Sequence, residues 1–251
     1  MKLTDNTIFI TGGGTGIGRG LAEALHNLGN KVIISGRRKG HLEATTKANP
    51  GMDSVELDIS DPANISAVTT KLIADYPALN VLINNAGIML IDDASARIGD
   101  QLLTSTVTTN LLGPIRLTSA LIEHLKKQPK ATVIYNSSAL AFVPLALTAV
   151  YSSTKAALHS YVLSQRYKLK STSVSVLEIS PPWVQTDLLN SKEEPRAMPL
   201  KDFIEETMKL LGTDAKEIVV QQAQAFRKNP GPNESALVTQ FNDSMVGASP
   251  Q

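Results

Sequence analysis

The chain of 251 residues contains no cysteine, which excludes disulfide stapling, thiolate catalysis and thiolate metal sites together. Its four histidines, His26, His41, His124 and His159, are far apart and lack metal-ligand spacing, so they read as surface or helix-flank residues and no metal is expected. Excess charge is missing as well. Lys+Arg 24 against Asp+Glu 23 leaves +1, too little to hold a nucleic acid or an anionic membrane surface. The longest apolar stretch, Ala139 to Leu147, contains Pro144 and falls far short of the ~20 residues of a membrane span. The apolar run near the N-terminus has no small-residue cleavage site and leads into a glycine turn, as a buried strand does. A cytoplasmic location is expected. Ordinary Gly, Pro and hydrophobic content excludes disorder and low-complexity arrays.

What is present is an alternation. Short β-branched runs at Thr7–Thr11, Lys31–Ser35, Ser54–Leu57, Val81–Asn84, Ala131–Asn136 and Val174–Ile179 read as strands buried on both faces. Between them lie helical patterns at Ile17–Leu28, His41–Asn49, Ile65–Tyr76, about Asp100 to Lys127, and Tyr151–Leu169. Strand and helix alternating in this way give a doubly wound α/β Rossmann fold, a parallel sheet of six or seven strands with helices on both faces. The whole chain is expected to be one domain. Residues 1–187 form its core, and the proline-punctuated 188–251 form a helical, substrate-covering segment and tail rather than sheet. A short helix is expected near Ala236–Asn242, then a frayed end.

Thr11-Gly12-Gly13-Gly14-Thr15-Gly16-Ile17-Gly18 follows the first strand and opens the first helix. In that context glycines bring backbone N–H groups and a helix N-terminus against a pyrophosphate, so Gly12, Thr15, Gly16, Ile17 and Gly18 are cofactor-binding candidates. The second strand ends in Ser35-Gly36-Arg37-Arg38, with no carboxylate to bond the ribose 2′-hydroxyl of NAD. A guanidinium at Arg37 would instead grip a 2′-phosphate, with Arg38 stacked beside it, which favours NADP(H) over NAD(H). The alternative is that both arginines are solvated loop cations.

The Gly12, Gly16, Gly18 spacing resembles the short-chain dehydrogenase/reductase family when taken with Asn84-Asn85-Ala86-Gly87 and Tyr151-x-x-x-Lys155. The resemblance runs from about Thr4 to Leu188. Tyr151 and Lys155, four apart on a helix, share one face. By position, Asn110, Ser138, Tyr151 and Lys155 match the family's catalytic tetrad, the thirteen-residue spacing selecting Ser138 over Ser137. The resemblance implies hydride transfer between the nicotinamide and a carbonyl or alcohol carbon, with Tyr151 as acid in reduction and base in oxidation. Lys155 then holds the ribose hydroxyls, Ser138 bonds the substrate oxygen and Asn110 anchors a water leading to Lys155. Bringing a phenol from pKa ~10 to ~7 would take about 4 kcal/mol, which nearby cations must supply. It further implies adenosine-side contacts from Asp58, Asn85, Ala86 and Gly87, and carboxamide and phosphate contacts from Pro181, Val184 and Thr186.

Ala139–Leu145, Met89-Leu90 and Trp183 carry no charge and suggest an apolar ketone, aldehyde or secondary alcohol as guest, although such residues also serve as core. Pro181-Pro182 stands where the family has Pro-Gly, and proline cannot take a positive φ. With neighbouring motifs this resembles the DltE-like branch of bacterial oxidoreductases. The C-terminus lacks the family's final-strand signature, which points to a homodimer through the two long helices. Asn190–Pro199 is a candidate hinge for a lid at Met198–Leu211. The competing reading is a non-catalytic NADP(H) sensor, for which the tetrad would have no use. An epimerase or dehydratase would need a larger substrate domain.

Overall fold

The computed structural model describes residues 1–228 and 231–246. Seven parallel strands form one sheet in the order β3-β2-β1-β4-β5-β6-β7. They are β1 (Thr7–Thr11), β2 (Lys31–Gly36), β3 (Asp53–Glu56), β4 (Leu79–Asn84), β5 (Ala131–Asn136), β6 (Val174–Ile179) and β7 (Glu217–Ile218). The order reverses between β1 and β4, and the crevice beyond their carboxyl ends is where doubly wound sheets hold ligands.

Alternation along each strand builds two cores. Ile8, Ile10, Val32, Ile34, Val81 and Ile83 face the side covered by α1 (Gly16–Asn27) and, later in the chain, α7 (Leu200–Leu211). Phe9, Ile33, Leu82, Val133 and Tyr135 face the side covered by α3 (Pro62–Asp75), α5 (Gly113–Lys127) and α6 (Ala149–Lys168). Burial on both faces is why these strands read as continuous apolar runs. The remaining helices are α2 (Lys39–Ala48), α4 (Asp100–Val107), the single turn α8 (Gln224–Arg227) and α9 (Glu234–Val246).

Three features differ from the sequence expectation. The stretch from Asp100 to Lys127 is α4 and α5 joined through a π-helical turn, Thr108–Leu112, with Asn110 at its centre. The tail is not free of sheet, because β7 pairs with β6 through Glu178↔Glu217 and Ile179↔Ile218. Two residues are too short for any alternation to register, and the open edge of β6 supplies the pairing. The predicted lack of a final strand, and the argument for a dimer drawn from it, are corrected accordingly. Finally, α9 is longer than Ala236–Asn242 at both ends; the last five positions lie outside the described residues.

Candidate active site

The turn after β1 is shaped by close approach. Gly16 has φ +53, and a Cβ there would sit 3.4 Å from the Thr186 side chain, so the loop after β6 closes directly over the glycine turn. At Gly18 a Cβ would lie 2.3 Å from the Gly12 carbonyl oxygen and the Asn85 amide, so only glycine fits. Thr15 occupies the N-cap of α1 but makes no side-chain cap bond, and the first turn carries no acidic residue. Its N–H donors are thus left for an anionic ligand. Ile17 is half-buried in that first turn and packs on the core beneath it.

Two cations frame the turn. Arg38 reaches back from the end of β2 and donates from Nη2 to the Thr15 hydroxyl at 3.3 Å. Arg38 thus brings a positive charge to the N-cap of α1. Arg37 stays exposed and close to Asp58. Burial opposes the charge on Asp58, but hydrogen bonds from Ser60 and the positive Arg37 hold its carboxyl below the usual value. Asp58 accepts from the Ser60 N–H at 2.9 Å and the Ser60 hydroxyl at 2.6 Å, while Asp61 caps α3. The open glycine cradle, uncapped donors and paired arginines fit a dinucleotide carrying an extra phosphate.

Asn85 serves the scaffold. Its amide donates to the Thr11 and Gly12 carbonyls, and its oxygen accepts from Asn136 at 2.8 Å. The N–H groups of Asn85 and Ala86 both donate to the Thr11 hydroxyl. Gly87 is exposed, and a Cβ there would meet Asn110 Oδ1 at 3.3 Å and Lys155 Nζ at 3.8 Å. A bare backbone at 87 keeps the approach to Lys155 clear.

Lys155 is 4% exposed and its Nζ donates to the carbonyl of Asn136 at 2.8 Å. Thr11, Asn85 and Asn136 thus form a bonded chain from the glycine turn to the lysine. Thr11 opens the glycine motif, but Asn136 does not stand out in sequence, being merely the polar last residue of an apolar strand. Burial pulls the Lys155 amine down to about 8, against the opposing pull of the negative Glu178. Tyr151, one helical turn earlier, is also buried, and the Lys155 ammonium lies 5.4 Å from its ring centroid. Burial pushes the Tyr151 phenol up to about 12, partly offset by Ser138.

The two candidate serines separate by their partners. Ser137 is engaged with the Ile179 carbonyl and the Ser180 hydroxyl, whereas Ser138 faces Tyr151 and accepts from the Leu140 N–H. Asn110 bonds both the N–H and the carbonyl of Ile88 through its side chain and contacts the Thr154 hydroxyl. The π-turn leaves main-chain groups around Asn110 outside the α-helical bonding pattern. Asn110, Ser138, Tyr151 and Lys155 are therefore gathered at the carboxyl ends of β4 and β5 and the start of α6.

Other expectations need adjustment. Phe142 is no pocket wall: it is buried, edge-on to His159 at 4.9 Å and under the Arg227 guanidinium at 4.9 Å. His159 is not a surface residue but pairs through Nδ1 with Oε2 of Glu178 at 2.8 Å. The Pro181-Pro182 loop is still well bonded. The Pro181 carbonyl accepts from Ala139 and Val184 bridges Met198; Val184 and Thr186 both stay buried, Thr186 against Gly16 of the glycine turn. Trp183 lies beneath the Arg196 guanidinium, 5.0 Å from its ring.

A profile of the short chain dehydrogenase family matches residues 6–197. Over 248 residues the chain is 35% identical to the uncharacterized oxidoreductase DltE of Bacillus subtilis (strain 168), covering 96% of this chain and 98% of that protein. The fold is that of a short chain dehydrogenase from Burkholderia cenocepacia J2315 in complex with NADP, with TM-score 0.84 and 24% identity over 96% of this chain and 98% of that one. An alcohol dehydrogenase from Thermococcus sibiricus complexed with 5-hydroxy-NADP gives TM-score 0.77 and 22% identity over 84% and 94%. The chain belongs to the short-chain dehydrogenase/reductase family, in its DltE-like branch, and is an NAD(P)-dependent oxidoreductase.

Proposed function

We propose that the protein is an NADP(H)-dependent carbonyl reductase or alcohol dehydrogenase acting on apolar ketones, aldehydes or secondary alcohols, with Tyr151 as its general acid and base. The observation that carries this reading is the burial of Tyr151 and Lys155 in successive turns of α6, with Ser138 at the phenol and the ammonium anchored on Asn136. The nicotinamide supplies or accepts the hydride. Ser138 holds the substrate oxygen and Tyr151 delivers its phenolic proton to the alkoxide that forms there. A phenol raised to about 12 is fully protonated at neutral pH, so the resting chain holds the acid form that reduction requires. Lys155, through its positive charge, favours the phenolate left behind, and the π-turn at Asn110 offers main-chain groups to a water that returns the proton.

Arg37 and the Arg38–Thr15 contact support a 2′-phosphate and hence NADP(H) ahead of NAD(H). Leu90, Ile91, Leu147 and Leu188 are exposed on the loops leaving β4, β5 and β6, which supports an apolar substrate. Arg196, the nearby cation, is committed to Glu194 through contacts of 2.7 and 2.6 Å. A homodimer through α5 and α6 is part of the same reading, now supported by Leu163 and Tyr167, exposed one turn apart on α6. Among the described residues no helix is long and apolar enough to cross a membrane. Action in the cytoplasm, where NADPH is regenerated, fits this function.

The test is oxidation of NADPH and NADH against a panel of apolar aldehydes, ketones and diketones, with Tyr151→Phe alongside. Turnover with NADPH that falls by about a thousandfold or more in the variant is expected. Tight NADPH binding without turnover on any member would favour the sensor. Elution as a tetramer in size exclusion would overturn the dimer.

A further inference from the structure

Glu178 is 0% exposed, the most buried carboxylate among the described residues, and the chemistry above makes no use of it. On β6 it stands opposite Tyr135, and the next pair in register is Asn136↔Ile179. Lys155 places its ammonium on the carbonyl of that same Asn136. Glu178 therefore lies one strand residue behind the lysine, on the face covered by α6. One helical turn beyond Lys155, His159 reaches down from α6 and binds Oε2 of Glu178 at 2.8 Å. The other oxygen, Oε1, has no hydrogen-bond partner among the described residues.

The remaining charges around it are already matched. Arg227 of α8 binds Glu217 of β7 through Nε at 2.6 Å, and Arg166 of α6 lies 3.9 Å from the same carboxylate. The Tyr135 hydroxyl on β5 is taken up by Thr118 and Gln165. Glu217 thus faces the two arginines and His159, and Glu178 faces Lys155 and His159 with Arg227 as a third, shared cation. Without its negative charge the pocket would hold Lys155 and two arginines against one carboxylate. A buried lysine in such surroundings gives up its proton.

We propose that Glu178, fixed in place by His159, is the counter-charge that keeps Lys155 an ammonium in the closed site. It is a positioning residue that acts through Lys155, and its functional importance rests on the reading that Lys155 supports Tyr151. The relative placement of the two charges follows from the β5–β6 register and from the bond that ties Lys155 to the Asn136 carbonyl. The orphaned Oε1 leaves charge unneutralised by hydrogen bonding, available to act across the strand on the lysine.

The test replaces Glu178 by the isosteric, neutral Gln and follows the ε-carbon of Lys155 by NMR as pH is raised in the cofactor-free protein, the resonance being assigned by its absence in Lys155→Met. The Lys155 midpoint is expected to fall by about one pH unit in Glu178→Gln, and the alkaline limb of kcat/KM to fall with it. Glu178→Asp keeps the charge one methylene further away and is expected to fall by less. It also serves if the Gln variant does not fold. An unchanged Lys155 midpoint in the folded variants overturns the proposal, as does an equal fall in both. Absence of turnover in the unsubstituted protein would count against the reductase reading alone, because the NMR titration reports on Glu178 independently.

Discussion

Asp92 caps the helix that carries Tyr151: its carboxylate accepts from the N–H of Ala149 at 3.1 Å and of Val150 at 3.0 Å, across 57 and 58 residues of chain. Thr148, the residue at the helix's own N-cap position, makes no side-chain cap bond. The loop after β4 thereby fixes the first turn of α6, and with it the phenol one residue beyond. The Asp92 N–H closes the arrangement by donating to the Leu147 carbonyl. Asp92→Ala is expected to cost about 1–2 kcal/mol of stability, since it removes both a cap and a negative charge at a helix N-terminus. Urea unfolding measures that loss. Turnover is expected to fall several-fold with NADPH affinity unchanged, because the glycine turn does not touch Asp92; an equal loss of NADPH affinity would contradict this.

Lys155 makes a pH prediction whose sign is set by burial. Burial brings its amine down to about 8 in the folded chain, from the ~10.4 of a free lysine side chain. Between those values the unfolded chain binds more protons than the folded one, so stability rises with pH through that window. Below about 8 the folded protein carries the full cost of a buried ammonium. Unfolding free energies of the protein and of Lys155→Met, taken at pH 7.5 and pH 9.5, are expected to shift relative to one another by about 2 kcal/mol in favour of the protein at the higher pH. A constant difference, or a shift of opposite sign, would show that the lysine is not desolvated as the structure has it.

As the proposed acid and base, Tyr151 places a matching demand on the bound state. A phenol at about 12 must come down by on the order of five units, about 7 kcal/mol, before it exchanges protons freely near pH 7. That exceeds the ~4 kcal/mol expected for an exposed tyrosine, because burial adds to the gap. Keeping Lys155 charged therefore matters more than the motif alone implies.

The parts of this molecule legible in its sequence are those set by local pattern. Ile8-Phe9-Ile10 and Val133-Ile134-Tyr135 are fully buried runs, and runs of that kind identify central parallel strands directly. Tyr151 and Lys155 follow from helical spacing once α6 is placed. β7 escapes because two residues carry no period, and the π-turn at Asn110 escapes because apolar spacing from Asp100 to Lys127 reads the same with or without it. Glu178 reads as the polar member of an alternating strand, and only the meeting of α6 with β6 buries it against His159. Asp92, within Ile91-Asp92-Asp93-Ala94-Ser95, reads as a turn acid. Its partners lie in a distant segment, which no local pattern encodes.

The cofactor preference is tested at the end of β2. If Arg37 and Arg38 grip a 2′-phosphate, replacing both by Ser removes two charge-assisted contacts at about 1.5–3 kcal/mol each, less what solvent screening returns. NADPH affinity is then expected to fall at least tenfold, with NADH affinity within about twofold of the unsubstituted protein. Fluorescence titration with each cofactor decides it. Equal losses for both would mean that the arginines hold the turn, through contacts such as Arg38 to Thr15, rather than the phosphate.

The tail makes its own contribution to the site. Asn242, on α9, accepts from the Ala146 N–H at 2.5 Å and donates to the Pro144 carbonyl at 3.0 Å, so one amide clamps the backbone on either side of Leu145, within the segment between Ser138 and Tyr151. A third bond, to the Val238 carbonyl, fixes the amide on its own helix. Phe241 packs edge-on against Phe226 at 5.3 Å and holds α9 to α8. Nothing in this contact reaches the glycine turn or α1, so its loss is expected to act on the substrate and not on the cofactor. Asn242→Ala removes two neutral hydrogen bonds, about 1–3 kcal/mol in total, from a segment that borders the substrate in the proposed function. KM for a bulky ketone is expected to rise about five- to tenfold, with kcat and NADPH affinity within about twofold. Equal losses in kcat and KM would instead mean that the clamp holds the catalytic residues themselves.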